Sequence, residues 1–100
     1  MNLDHWVLDG HEVRRVPLLE WAMKFEDGDS RRVAKTQVGD TEVSTVFLGI
    51  DHNFGDDGPP LLFESMTFPD QMTCERYATW DEAQAGHDRI VAALREGRRP

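Results

Sequence analysis

The chain has 100 residues, 39% of them hydrophobic, with three tryptophans and five phenylalanines, which is the size of one domain around one core. Nineteen acidic against eleven basic side chains leave a formal charge of −8, which repels a phosphate backbone at long range and disfavours general nucleic-acid binding. The single cysteine, Cys74, excludes an intramolecular disulfide and a multi-cysteine zinc site, and reads as a small core residue rather than a nucleophile.

The opening, Met1 to His5, lacks the basic region and apolar stretch of a signal peptide. No apolar run nears the ~20 residues that span a bilayer, so the cytoplasm is the expected location. The first element reads as a small hairpin, with Trp6-Val7-Leu8 and His11 to Val16 around an Asp9-Gly10 turn. Pro17 suits a first helical turn. Leu18, Trp21, Ala22 and Phe25 then recur at helical spacing. Gly28 ends that short helix, which needs a sheet to hold it.

Arg32 to Val38 and Glu42 to Ile50 read as strands around a Gly39-Asp40-Thr41 turn. Along the second strand Val43 and Phe47 fall on one face, and Val46, Leu48 and Ile50 on the other. Such a strand is covered on both sides, or covered on one and paired with another subunit. A polar loop runs from Asp51 to Pro60, followed by strands at Leu61 to Phe68 and Glu75 to Ala78. Thr79 with Glu82 makes a capping box for the last helix. Trp80, Ala83, His87, Ile90, Val91 and Leu94 form its apolar stripe, opposite Asp81, Asp88, Arg89, Arg95 and Glu96. Gly97 closes it, leaving residues 98–100 as a frayed basic tail. The expected fold is a single α+β domain over residues 1–97. Its antiparallel sheet has about four strands, plus the N-terminal hairpin, with one short helix and a C-terminal amphipathic helix packed on it.

Sequence motifs for a nucleophile elbow, a phosphate-binding loop or a zinc-protease helix are lacking. Ser44 and Ser65 lie in strands with no base marked beside them. Asp51 and Asn53 match the first ligands of a calcium loop, but Gly55, Asp56 and Leu62 break the pattern, so residues 51–58 read as a turn-rich loop. His87 reads as a buried, hydrogen-bonded group beside Gly86. Glu64 reads as the partner of Arg76 across a hairpin. The functional alternative joins Asp51, His52, Glu64 and His87 as a metal or acid–base site. No catalytic, cofactor or metal residue is assigned otherwise.

The run Val43-Ser44-Thr45-Val46-Phe47-Leu48-Gly49-Ile50-Asp51-His52-Asn53-Phe54, with Leu62 to Met66, Glu75-Arg76-Tyr77 and Ala85-Gly86-His87 in the same order, resembles a family of small uncharacterised actinobacterial and phage proteins. Ser65 stands where that family's pattern has Thr. The resemblance implies a phage or prophage setting in the host cytoplasm and brings no activity with it. The leading expectation is a non-enzymatic accessory protein that binds a host or phage protein, with self-association through a sheet edge or face. One alternative is a metal-assisted hydrolase or nucleotide-processing enzyme. The other is an acidic mimic of DNA that inhibits a nucleic-acid-binding host protein.

Overall fold

A computed structural model describes residues 5–24, 31–51 and 58–100. Strands β1 (His5–Asp9) and β2 (Glu12–Val16) form an antiparallel hairpin, followed by helix α1 (Leu18–Lys24). Strands β3 (Arg32–Val38), β4 (Thr41–Phe47), β5 (Phe63–Phe68) and β6 (Cys74–Tyr77) form a four-stranded antiparallel sheet in chain order, and helix α2 (Trp80–Arg95) closes the fold. The molecule is therefore α+β, as its pattern of elements implies. Among the described residues no helix is long and apolar enough to cross a membrane.

The first turn is displaced by one residue from its expected place. Asp9 pairs with Glu12, so Gly10 and His11 are the central residues. Only Gly10 has positive φ, 66°, the arrangement of a II′ turn, where glycine leads. Gly39 repeats it between β3 and β4.

Helix α2 covers one face of the sheet. Val43, Thr45 and Phe47 of β4 are buried, and so are Phe63, Ser65 and Thr67 of β5. Two apolar clusters lie beneath the helix. One joins Phe47, Leu62, Phe63 and Ala83, flanked by Trp6, Leu8, Val13 and Trp80; the other joins Val43, Ile90 and Val91, flanked by Val38 and Leu94. The ring of Phe63 meets that of Phe47 at 5.3 Å and that of Trp80 edge-on at 6.4 Å. Thr79 caps α2, accepting from the Glu82 amide at 3.2 Å while its hydroxyl donates to the Glu82 carboxylate. At the other end Arg98 N–H reaches Ala93 O and Gly97 N–H reaches Leu94 O, a Schellman closure. Arg98 is thus part of the cap rather than of a frayed tail.

The expected extent of the second strand, Glu42 to Ile50, is corrected. The strand ends at Phe47, and Gly49 turns the chain at a φ of 79°. Ile50 then bridges to His5, and Trp6 N–H donates to Gly49 O at 2.9 Å, which docks the hairpin beside the end of β4. Ile50 is thereby drawn to the hairpin, while the Leu48 N–H, donating to Leu62 O at 2.6 Å, still continues the β4–β5 ladder. Helix α1 is also turned from its expected pose. Its contacts run to β1, where Trp21 meets His5 edge-on at 4.9 Å. Leu18 and Ala22 are exposed and the helix has no buried residue, because a single large inward anchor sets its rotation. Phe25 and Gly28 lie outside the described residues.

Candidate functional site

The sheet face under α2 carries a row of hydroxyls between the two apolar clusters. Register places Thr45 opposite Ser65 on β5 and Ala34 on β3, with Thr36 two pairs further along, opposite Val43. Helix α2 brings His87 down onto this row, between Ala83 on one side and Ile90 on the other. His87 is 2% exposed. Its Nε2 lies 2.8 Å from Thr36 Oγ1 and its Nδ1 2.8 Å from Thr45 Oγ1; Thr45 Oγ1 is in turn 2.5 Å from Ser65 Oγ. One imidazole nitrogen donates and the other accepts, and the hydroxyls rotate to match.

Burial lowers the His87 pKa from its ordinary 6.5, opposed by the neighbouring Asp88 carboxylate, so the ring is held neutral. The line ends at Tyr77. Its hydroxyl is buried, and burial pushes the phenol up, with Ser65 pulling the other way. No hydrogen bond of good geometry joins Tyr77 to Ser65, so this hydroxyl counts as unsatisfied. Thr45 and Ser65 are fully buried. The row therefore fixes α2 on the sheet, and neither of these two hydroxyls is open to an incoming molecule. At the sheet edge, Arg89 Nη2 donates to both Glu75 oxygens at 2.6 and 2.5 Å and clamps the same helix.

Of the residues singled out from sequence, neither Glu64 nor Asp51 is brought to His87. Glu64 lies on the far face, because its neighbours Phe63 and Ser65 both point under the helix. There it accepts from Arg76 Nε at 3.0 Å, directly across the β5–β6 ladder. Asp51 Oδ1 accepts from the Leu61 amide at 2.8 Å and so ties together the two ends of the loop between β4 and β5. His52, with the calcium-like Asn53 to Asp57, lies outside the described residues. Among the described residues no three His, Cys, Asp or Glu side chains are grouped to hold a metal. Ser44 is on the far face.

Cys74 is exposed, contrary to the core reading, because the inward positions of β6 are taken by Glu75 and Tyr77. Burial of the thiol and the Glu64 carboxylate beside it raise its pKa. An open depression of about 610 Å³ along Pro69, Asp70, Gln71, Met72 and Arg99 takes in none of the sequence-predicted residues. A smaller one of about 230 Å³ lies where the ring of His11 stacks on Trp80 at 4.0 Å, and it too lacks them.

Thr36 and Thr45 are the partners that sequence reasoning missed. The available signal was a polar residue at the centre of an inward triplet, Val43-x-Thr45-x-Phe47, repeated on the next strand as Phe63-x-Ser65-x-Thr67. Comparison with family models, curated proteins and solved structures finds no match to this chain.

Proposed function

We propose that this domain is a small acidic accessory protein that acts by binding another protein, without an enzymatic step of its own. One surface carries the reading. Leu18, Leu19 and Met23 of α1 are 60%, 74% and 69% exposed. At 100° per residue these three and Ala22 share one side of the helix, while Trp21 faces β1. Covering a Leu or Met side chain is worth about 1.5–3 kcal/mol, and the fold makes no use of that at three positions of one seven-residue helix. A contiguous exposed apolar patch of this kind marks a contact surface. The resemblance to actinobacterial and phage proteins supplies the setting, in which the partner is a host or phage protein of the host cytoplasm.

Quantitative affinity capture from an actinobacterial lysate tests the reading, with wild type run beside Leu19→Glu and Met23→Glu. Both side chains face solvent, so melting temperatures should stay within a few degrees. A partner enriched by wild type and lost with both variants is the expected result. Equal recovery with all three proteins overturns the proposal.

A further inference from the structure

The sheet has a second face that α2 does not touch. Register fixes its layout: Lys35, Ser44, Met66 and Cys74 form a central row across the four strands, and Val46 sits beside Glu64 in the next. Ser44, Val46 and Met66 are half-buried, and Phe68 at one end of the face is 39% exposed. The main contacts of α1 run to β1.

The charges of this face set it apart from the rest of the chain. It holds Arg32, Lys35 and Arg76 against Glu42 and Glu64, a balance of one positive charge, whereas the whole chain carries −8. Two ion pairs lie on the face itself. Lys35 Nζ lies 3.2 Å from Glu42 Oε1, and Arg76 Nε 3.0 Å from Glu64 Oε2. Two copies of an acidic protein repel each other over most approaches. On this face that repulsion is much reduced, and covering it strands neither member of either ion pair.

From this we infer that the face of the β3–β6 sheet opposite α2 is a self-association surface, against which a second copy packs face to face. The contact is isologous, the same patch on both subunits, with Val46 and Met66 between sheets stacked ~10 Å apart. Four strands at ~4.8 Å spacing and six residues at ~3.4 Å rise give a footprint of about 400 Å² per copy. The total of about 800 Å² is below the ~1,200 Å² of stable complexes, so the dimer is weak and reversible.

Sedimentation velocity of the full chain from micromolar to millimolar concentration tests this. The expected result is a monomer–dimer equilibrium whose dissociation constant rises at least about tenfold in both Met66→Glu and Ser44→Lys, since each sets like charges against each other across the contact. Melting curves confirm that the variants are folded, and either variant suffices if the other is not. Leu19→Glu, on α1, should leave the equilibrium unchanged. A wild-type chain that stays monomeric to millimolar concentration overturns the inference. So does a dimer that Leu19→Glu abolishes while the sheet-face variants keep it, which would assign the α1 patch to the second copy.

Discussion

The space that a β-carbon on Gly86 would need is filled by the hydroxyl and ring edge of Tyr77. This close approach is why a glycine stands in the middle of α2. At an exposed helix position Gly→Ala gains about 1 kcal/mol. Here Gly86→Ala should instead cost about 1–3 kcal/mol, because the tyrosine ring is held between sheet and helix and has to be displaced. Urea denaturation measures it. In a Tyr77→Ala background the same change should become neutral or favourable, and a loss of equal size in both backgrounds would place the clash elsewhere. Tyr77→Phe, which removes only the unsatisfied hydroxyl, should be neutral or stabilising by up to about 1 kcal/mol.

His87 makes stability depend on pH, and the sign follows from its environment. Burial depresses the folded-state pKa below the ordinary 6.5, so under mildly acid conditions the unfolded chain binds more protons than the folded one. The neutral ring's contribution is fully present above pH 6.5 and is lost as pH falls through the depressed folded value. His87→Gln should cost about 1–3 kcal/mol at neutral pH, since one amide cannot reach Thr36 and Thr45 as the imidazole does. It should also flatten the decline in stability between about pH 7 and pH 5.5. Equal pH slopes for wild type and variant would remove His87 as the source.

What could be read in advance was local. The capping residue, the apolar stripe and the closing glycine of α2 lie within a few turns of one another, and one helical period orders them. Glu64 and Arg76 were legible as partners because they belong to adjacent strands on either side of a short connection. The hydroxyl row was not. Thr45 meets His87 only because α2 returns across the sheet; Val43 and Phe47 mark the face that Thr45 takes, but nothing within the strand marks what will cover it. The rotation of α1 failed for a similar reason. Its stripe had the right period, but the long-range contact of Trp21 with His5 selects the inward side. Asp51 was legible as a loop residue that bonds to backbone rather than as a calcium ligand, but its partner, the Leu61 amide ten residues on, depends on how the loop closes.

The stripe of α2 divides by depth, and substitutions should follow. Ile90 is fully buried against Val43, so Ile90→Ala should cost about 2–4 kcal/mol. Leu94 is only partly buried at the rim of the same cluster, and Leu94→Ala should cost about half as much. Chemical denaturation of the two variants gives the comparison. A larger loss at Leu94 than at Ile90 would mean that the helix is rotated about its axis from the position described.

The far face offers an electrostatic test independent of any partner. Cys74 Sγ lies 3.6 Å from Glu64 Oε2. Burial contributes most to the raised thiol pKa, with the Glu64 charge and its hydrogen bond adding to it and Arg76 opposing. Removing the carboxylate in Glu64→Gln should lower the thiol pKa and speed alkylation by iodoacetamide at mildly alkaline pH, because the thiolate is the reacting form. Arg76→Ala removes the opposing cation and should slow the same reaction. Stability should change by less than about 1 kcal/mol in either case, since an ion pair at the surface contributes little. The pH dependence of the alkylation rate gives the thiol pKa directly in all three proteins. Shifts of the same sign in both variants would mean that local unfolding of β6, rather than the two neighbouring charges, sets the reactivity of Cys74.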